Sequence, residues 1–587
     1  MSNGSKNPPG SRLAGLLERR QELTEAIEAS PYDLVLYLQR SAVYSSLEYP
    51  DLACGDAYRA LLLTDEVINE GFEYHEQAVE SLEEYSNNNL PEMLRHVPQM
   101  TAKPELTDDA TKHAELVAAA LLRCFHLLSL SLLLCGCLKS AHIFCERGLA
   151  SFPGEKELLG LRRRVDAAAR SRLKRDSYDT EDLPDSGLAR REVYPWNTHE
   201  PDRFSEESLA FLNAELAKMA PKCVVKASEL PILFDGGQQQ DQQSATATPT
   251  STTCKQLGVF AAQDMAPGEV VLREFSALTA NNRLQEPVCD ACGEELPELG
   301  SEGAAVECPD CSDAVFCSQD CFDRAMELYH PAVCDLGVDS ISKDPEAADV
   351  DHSLYLLLLA RLLAMAAHQD LHPLDVREIK YIWGDFASNP PALRDREDGD
   401  DGDDDGSGDL SFHTRPGCTL PFSFKFNVEA PLHVLERMDV DVYATLARHD
   451  VWVLNTCYAK FRGTASARKS TRDGRPDVAA VHPFWCLANH DCDPNVTWEW
   501  GGKMCLKARE QRVAWVKRQS DGDDKDAQGA AATVRRQPAG IKAGEEVLNH
   551  YCDVDMSVQQ RREWASGSLG GWCMCQRCQI EAAAKTS

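Results

Sequence analysis

The sequence predicts a multidomain protein in which an all-helical N-terminal region precedes a mainly β region with two clusters of metal-ligating residues. Apolar residues recur at helical spacing from Leu13 to Arg175, with few strand signals. Strand-and-turn patterns then begin at Lys255. Cysteines occur in closely spaced groups at 289–334 and 573–578, a spacing typical of zinc sites.

The composition is that of a soluble globular protein with polar segments inserted. The chain has 587 residues, enough for several domains. We find no uninterrupted run of about 18 apolar residues and no signal-peptide core in the polar N-terminus, so we expect the nucleus or cytoplasm rather than secretion. In a reducing compartment, the 23 cysteines are expected to be metal ligands and buried thiols rather than disulfides.

The charge balance indicates which partners are expected. The net charge is −34, from 94 acidic and 60 basic residues. Direct binding to a nucleic-acid backbone needs a basic surface and is therefore not expected. A membrane partner is not expected either. An acidic surface favours basic peptides as partners. Part of the charge lies in Asp395–Asp409, which we interpret as a solvated, disordered loop.

Two segments of the helical region share one spacing of large and small residues. In each, four positions follow one another at offsets of 7, 9 and 7, which resembles the tetratricopeptide helix pair; a generic helical bundle is the alternative. A module of this kind would bind partner peptides. The positions are Tyr37, Tyr44, Ala53 and Ala60, then Phe125, Leu132, Ala141 and Gly148.

Three further segments connect this region to the β region. The basic run Arg162–Arg175 is either a nuclear import signal or the solvated face of a helix. Residues Glu192–Pro231 predict a connecting strap with a short helix at Ser205–Met219 and an extended piece, CVVKASELP. The Gln-, Ser- and Thr-rich segment Gly236–Thr253 predicts a flexible linker.

The β region begins with a strand, a Pro-Gly turn and a second strand within Lys255–Thr279, a hairpin-like pattern. Further on, Ser353–Ala367 predicts a buried apolar helix, and Val451–Arg462 predicts another helix. The segment Glu546–Tyr551 (EVLNHY) predicts a strand that ends in a tyrosine. Gln519–Thr533 predicts a flexible polar loop.

The first cysteine cluster contains four ligand pairs, and eight such ligands hold two zinc ions. Its acidic knuckles favour contact with protein over contact with DNA. The pairs are Cys289 and Cys292, Cys308 and Cys311, Cys317 and Cys321, and His330 and Cys334.

The second cluster joins the C-terminal tail to a distant turn. Cys573, Cys575 and Cys578 supply three thiolates, and tetrahedral zinc needs a fourth ligand. Cys492, within the turn NHDCDPN at 489–495, would supply it.

NHDCDPN, the GEEVLNHY segment and the terminal cysteines resemble the SET domain and post-SET zinc site of protein lysine methyltransferases. The order and spacing of the first cluster resemble the MYND zinc finger, and a MYND finger inserted in a SET domain is the arrangement of the SET-and-MYND family. The cross-braced topology of that finger implies one zinc on Cys289, Cys292, Cys317 and Cys321. It implies another on Cys308, Cys311, His330 and Cys334.

The resemblance also implies roles for individual residues in S-adenosylmethionine-dependent methylation of a basic protein such as a histone, a chromatin-regulating activity. Tyr551 would be the catalytic tyrosine that orients the lysine amine, and the three zinc ions would be structural. The family's opening strand has Gly-x-Gly, but here Gln256 replaces the first glycine; Thr464 stands where an asparagine often touches the methyl donor. The implied donor-binding residues are Lys255, Leu257, Gly258, Asn489, His490 and Trp572.

The predicted domain order follows. Residues 1–180 form the tetratricopeptide-like domain, 181–253 the strap and linker, 254–285 the first part of the SET domain and 286–335 the MYND finger. Residues 336–470 form a helical insert with the acidic loop, 471–556 the catalytic part of the SET domain and 557–587 the post-SET tail. An adaptor without catalytic activity, recruiting partners through its repeats and finger, is the alternative function; a DNA-binding zinc regulator would need a basic patch that the finger lacks.

Overall fold

The structure is a computed structural model. The acidic loop Asp395–Asp409, the linker up to residue 252 and residues 518–532 lie outside the described part of the chain. The described residues are 9–87, 90–96, 108–190, 192–231, 253–284, 287–297, 305–311, 313–384, 419–470, 472–517, 533–535, 537–569 and 571–583.

The chain combines helices and short strands in two compact units, residues 1–194 with 386–456 and residues 195–385 with 457–587. The helices are α1 Pro9–Ala29, α2 Leu34–Ser46, α3 Pro50–Ile68, α4 His75–Glu83, α5 Asp108–Cys135, α6 Leu138–Ser151, α7 Lys156–Leu173, α8 Glu206–Met219, α9 Gln319–Leu328, α10 Val350–His368, α11 Arg377–Lys380, α12 Ala430–Arg437, α13 Leu446–His449, α14 Val451–Arg462, α15 Val558–Leu569 and α16 Gln576–Ala583. The strands are β1 Gly187–Arg190, β2 Cys223–Pro231, β3 Thr253–Ala261, β4 Val270–Phe275, β5 Leu278–Asn281, β6 Val306–Glu307, β7 Val315–Phe316, β8 Thr419–Phe422, β9 Ala465–Lys469, β10 Pro476–Val481, β11 Val496–Gly501, β12 Lys503–Ala508, β13 Trp515–Lys517 and β14 Thr533–Arg535.

The first unit confirms the predicted helical region. Asp33 caps α2 by accepting a hydrogen bond from the Val35 N–H at 2.8 Å, and Pro50 begins α3. The two sets of spaced residues lie on the packed pairs α2–α3 and α5–α6, and all eight residues are buried. Their assignment as tetratricopeptide repeats remains a prediction.

An ion-pair network lies buried within this unit. The Arg40 guanidinium binds both carboxylate oxygens of Asp56, at 2.7 and 2.6 Å, and lies 3.2 Å from Asp450. The side chain of Arg40 has no exposed area, so removing either acid would leave a buried charge with fewer partners. The network therefore fixes α2 and α3 against the residues that precede α14.

The basic run at 162–175 lies mainly on α7. Leu158, Leu161 and Val165 are buried, while Arg162 and Arg163 on the opposite face are exposed. The helix is therefore amphipathic, and its basic residues form a solvated face. This is one of the two interpretations that the sequence leaves open.

Within the described part of the chain, two helices are long and apolar enough to cross a membrane by length and composition, although the sequence shows no uninterrupted apolar run. They span Lys112–Cys135 and Val350–His368, and 72% of each apolar window is buried inside the fold. The second one contains the predicted apolar helix 353–367, whose burial is thus confirmed. Both have the burial of core helices.

The second unit contains short antiparallel sheets, and the predicted hairpin within 255–279 is wrong. The turn and both strands form, but β3 pairs with β2 from Cys223↔Ala261 to Pro231↔Thr253, and β4 pairs with β12. The predicted strap 181–253 stays a prediction, and its strand β2 belongs to the sheet of β3. The predicted elements at 205–219, 223–231 and 451–462 correspond to α8, β2 and α14.

The other sheets have the orders β5–β10–β9, β13–β14 and β6–β7, and β1 pairs with β8 in the first unit.

The segment at 546–551 is extended but is not the regular strand predicted. It forms isolated β-bridges, Phe260↔Glu546 on one side and His490↔Asn549 on the other. Its backbone thus lies between β3 and the turn at 489–495.

The cysteine-rich finger is fixed to α10 by a half-buried ion pair. The Arg361 guanidinium on α10 lies 3.0 Å from both carboxylate oxygens of Asp290, and the Tyr329 hydroxyl donates to the same carboxylate at 2.7 Å. The guanidinium also lies 3.7 Å from the centroid of the Tyr329 ring. These contacts hold the finger against the helix that follows it.

Candidate functional site

Asn489 lies where β3, the turn and the 546–549 segment meet. Its side-chain amide donates to the backbone oxygen of Leu257 at 3.1 Å and to the Glu546 carboxylate at 2.6 Å. A Cβ on Gly258 would lie 2.4 Å from that carboxylate oxygen and 2.9 Å from the Asn489 amide nitrogen. A glycine is therefore needed here, and we call Leu257, Gly258, Asn489 and Glu546 the Asn489 junction.

The last residue of the turn also binds the 546–549 segment. Asn495 donates through its amide to the backbone oxygen of Glu546 and accepts from the Leu548 N–H, both at 2.7 Å. Within the turn, the Asp491 carboxylate accepts from the Asp493 N–H at 2.7 Å. These bonds explain the pattern of NHDCDPN, since its asparagines reach across to the other segment and Asp491 closes the turn.

Tyr551 follows this segment and is anchored to the residue before Asn489. Its hydroxyl donates to the backbone oxygen of Ala488 at 3.1 Å. Burial raises the pKa of Tyr551, so its hydroxyl is neutral at physiological pH. The rings of Trp485 and His490 lie 6.5 and 5.2 Å from the Tyr551 ring, centroid to centroid.

Glu274 is a buried acid that the sequence analysis missed. Its carboxylate on β4 accepts from the N–H groups of Phe484 and Trp485 at 2.9 and 2.8 Å and so fixes the start of the segment that leads to the turn. Burial raises the pKa of Glu274 to about 8. The sequence offers no signal for this role, because one glutamate within a strand usually faces solvent.

The other predicted donor-binding residues have different surroundings. The Lys255 ammonium lies 4.4 Å from the centroid of the Phe204 ring. The ring of Trp572 is 38% exposed, with the Arg562 guanidinium 5.4 Å from its centroid. Among the described residues, no hydrogen bond or ring contact joins Trp572 or Lys255 to the Asn489 junction. Thr464 donates its hydroxyl to the backbone oxygen of Lys460 at 2.6 Å, at the end of α14.

The eight ligands of the finger gather in the two predicted sets, with the ligand atoms of each set within 4.8 Å of one another. Tetrahedral zinc with Zn–S bonds of about 2.3 Å separates its sulfurs by about 3.8 Å. The Sγ atoms of Cys292 and Cys317 are 3.7 Å apart, and those of Cys308 and Cys334 are 3.8 Å apart. Burial lowers the pKa of His330, which keeps its imidazole neutral as a ligand must be. Both sets therefore fit zinc.

The tail ligands also gather as predicted. Cys492, Cys573, Cys575 and Cys578 place their sulfurs within 4.8 Å of one another, and Cys492 lies 4.0 Å from Cys573 and 3.4 Å from Cys578. Side-chain hydrogen bonding with Cys552 and then with Cys573 lowers the pKa of Cys492, which favours the thiolate that a metal binds. The described cysteines are free thiols, as expected.

Two groups of donor atoms were not predicted. In one group, the ligand atoms of His490, Cys492 and Cys552 lie within 4.8 Å of one another. The position of Cys552 directly after Tyr551 is the sequence feature that could have indicated it. His199, His372 and Asp375 form the other group, but the two imidazole rings are stacked 3.8 Å apart at 7°. Because lone pairs in parallel rings do not converge on one ion, the second group fits a hydrogen-bonded cluster better than a metal site.

Comparison with known proteins gives a weak similarity to one enzyme. No family model matches the chain. The chain is 26% identical over 142 residues to the Protein-lysine N-methyltransferase SMYD4 of Pongo abelii, and 26% identical over 141 residues to that of Homo sapiens. Each match covers 21% of this chain and spans 17% of the length of the relative.

Proposed function

We propose that this protein is a protein lysine N-methyltransferase that uses S-adenosylmethionine and acts on a basic protein such as a histone. One observation carries the proposal. The Tyr551 hydroxyl donates to the backbone oxygen of Ala488, and the next residue, Asn489, belongs to the Asn489 junction, so the tyrosine and the junction are adjacent. The similarity to SMYD4 supports the same reaction class. The net charge of −34 supports a basic substrate.

Two buried donors near Asn489 and Tyr551 suit a polar ligand. The side-chain nitrogens of Asn549 and Trp485 have no hydrogen-bond partner among the described residues. Because a buried donor without a partner is costly, these groups fit a site that a polar molecule completes. When bound, S-adenosylmethionine would supply an electrophilic methyl group on its sulfonium, and Leu257, Gly258, Asn489 and His490 would hold it.

The protein's own part in the reaction is to prepare and aim the lysine amine. Because lysine has a pKa of about 10.4, only about one amine in a few thousand is a free base at pH 7. Trp485 and Trp498, whose rings lie 5.7 Å apart, would supply apolar walls beside the amine, and such walls disfavour the ammonium form. Tyr551 stays neutral and donates to Ala488, which leaves its oxygen lone pairs to accept from the amine and orient it.

Three zinc ions would have a structural role in this protein. Each gathered set offers four protein ligands, which leaves no open position for a reacting group. The helix pairs α2–α3 and α5–α6, together with the finger, would bind partner peptides. The nucleus or cytoplasm would supply a reduced environment for the thiolates.

The test is transfer of radiolabelled methyl from S-adenosylmethionine to core histones and to a whole-cell extract, by the protein and by Tyr551→Phe. We expect labelled bands that vanish with Tyr551→Phe, while both proteins bind the donor equally in a parallel calorimetric titration. Donor binding without labelling would contradict histones and extract proteins as substrates. If the protein neither labels any band nor binds the donor, the proposal is overturned.

One observation favours an adaptor without catalytic activity. Gln256, where the family has glycine, accepts a hydrogen bond from the Arg203 guanidinium at 3.1 Å. A side chain held in this way covers part of the strand that would face the donor. The titration separates the two functions, since an adaptor would not bind S-adenosylmethionine.

A further inference from the structure

The imidazole of His490 lies between the tail metal site and Tyr551. Its Nδ1 accepts a hydrogen bond from the backbone N–H of Tyr551 at 3.0 Å. Its Nε2 lies 3.4 Å from the Sγ of Cys492, a ligand of the tail site. One side chain thus contacts both a metal ligand and the backbone of the proposed catalytic tyrosine.

These two contacts determine the tautomer. A backbone N–H can only donate, so Nδ1 must present its lone pair to Tyr551. The ring N–H that remains is then on Nε2, which donates to the Cys492 sulfur. If Nε2 bound a metal, the ring proton would be on Nδ1 and would face the Tyr551 N–H, donor against donor. His490 is therefore a hydrogen-bond donor to a metal ligand, not a ligand itself.

Tyr551 is consequently held at two points by one short segment. Its hydroxyl donates to the backbone oxygen of Ala488, and its N–H donates to the side chain of His490. Asn489, between these two residues, donates to Glu546 of the junction. A shift of His490 would therefore move the tyrosine relative to the Asn489 junction.

We infer that His490 is a positioning residue that couples the four-cysteine tail site to Tyr551. This inference rests on the proposed function for the role of Tyr551. When Cys492 is fixed by a bound metal, the Nε2–H···Sγ bond orients the ring, and Nδ1 then holds the backbone of Tyr551. Hydrogen-bond partners of metal ligands typically change metal affinity or activity by about 10- to 100-fold when they are removed.

Two matched substitutions separate the two bonds. In His490→Asn the amide oxygen takes the place of Nδ1 and can accept from Tyr551, but no atom reaches Cys492. In His490→Gln the amide nitrogen takes the place of Nε2 and can donate to Cys492, but nothing accepts from Tyr551. Each variant thus keeps one half of the coupling and serves as the control for the other.

Each bond has a readout that needs no methyl transfer. Zinc release to a chelator, followed with a colorimetric indicator, reports the Cys492 bond, and we expect His490→Asn to release the tail zinc about tenfold faster than His490→Gln. Hydrogen exchange of the Tyr551 amide reports the other bond, and we expect exchange about tenfold faster in His490→Gln than in His490→Asn. In methyl transfer, kcat should fall further in His490→Gln, with KM for the donor less affected.

Equal zinc release and equal amide exchange in the two variants would overturn the inference. Faster zinc release in His490→Gln, or faster amide exchange in His490→Asn, would also overturn it. Failure of the proposed function is distinguishable, because the unmodified protein would then transfer no methyl group while the release and exchange experiments still tested both bonds. Removing zinc from the unmodified protein should also speed exchange at Tyr551. This effect should be much smaller in His490→Gln, where the coupling is already broken.

Discussion

The two sites of the finger and the site of the tail use the same ligand chemistry but connect the chain in different ways. All eight finger ligands lie within residues 289–334. In the tail site, Cys492 is 81 residues from Cys573 and 86 from Cys578. Zinc in the finger would therefore stabilise a local module, whereas zinc in the tail site would close a long loop around the Asn489 junction. Loss of the tail zinc should affect the proposed active site, and loss of a finger zinc should not.

The largest effect is expected from replacing one ligand in each kind of site. Cys308→Ser and Cys492→Ser should each lose one zinc per chain, measured by elemental mass spectrometry. Only Cys492→Ser should lose donor affinity, by more than about 100-fold, because it frees the turn that holds Asn489. Equal loss of donor affinity in both variants would contradict this comparison.

Gly258→Ala tests the long-range contacts of the Asn489 junction without touching a ligand. The added methyl group would meet the carboxylate of Glu546 at 2.4 Å and force it away from Asn489. We expect unfolding to become easier by about 1–3 kcal/mol and donor affinity to fall about tenfold, both measured on the purified protein.

The control for this change is Gly160→Ala on α7. A Cβ at Gly160 meets nothing within 4 Å, so the substitution should stabilise the helix by about 0.5–1 kcal/mol and leave donor binding unchanged. Donor affinity equal in the two variants would mean that the junction is not part of the donor site.

Glu274 predicts a pH dependence of stability. Its folded-state pKa, about 8, exceeds the ordinary value of 4.5, so the folded state holds the proton more tightly. The contribution of this group to stability is therefore greatest below about pH 4.5 and falls as the pH rises towards 8. Glu274→Gln removes this pH dependence. Because the amide nitrogen of the new side chain would face one of the two backbone N–H donors, we expect the substitution to lower the free energy of unfolding by about 1–3 kcal/mol at pH 5.

Denaturant unfolding at pH 5, 6, 7 and 8 measures this effect. The difference between the unmodified protein and Glu274→Gln should narrow as the pH rises. Glu499→Gln is the control, because this exposed side chain forms a surface ion pair with Lys507 and the substitution should change stability little at any pH. Parallel curves for the protein and Glu274→Gln would show that the pKa of Glu274 is not raised.

The smallest effect is expected at Thr464, a local contact. Since its hydroxyl donates to the backbone of Lys460, Thr464→Val should cost about 1 kcal/mol of stability. Donor affinity should change less than twofold in the same titration used for Gly258→Ala. A tenfold loss would instead place Thr464 in the donor contact that the family resemblance implies.

The sequence predicts local features of this molecule well and long-range pairing poorly. The ligands at 289–334 and 573–578 are evident because each spacing is short, and helices such as α8 and α14 follow from their periodicity. The hairpin prediction at 255–279 fails because β3 pairs with β2, across the linker. The regular strand expected at 546–551 fails because this segment bonds to two different partners. Glu546 and Glu274 could not be identified as site residues, since their roles depend on residues 57 and 210 positions away.

The bridges on both sides of the 546–549 segment also set an order of events during synthesis. The turn at 489–495 leaves the ribosome before the segment that bonds to it and before the tail cysteines, which follow Cys492 by 81 and 86 residues. At about 5–20 residues per second, the turn waits on the order of 10 s for its partners. Throughout that interval the nascent chain holds Asn489 and Cys492 without their partners, so the four-cysteine tail site cannot be complete before Cys578 has been synthesised.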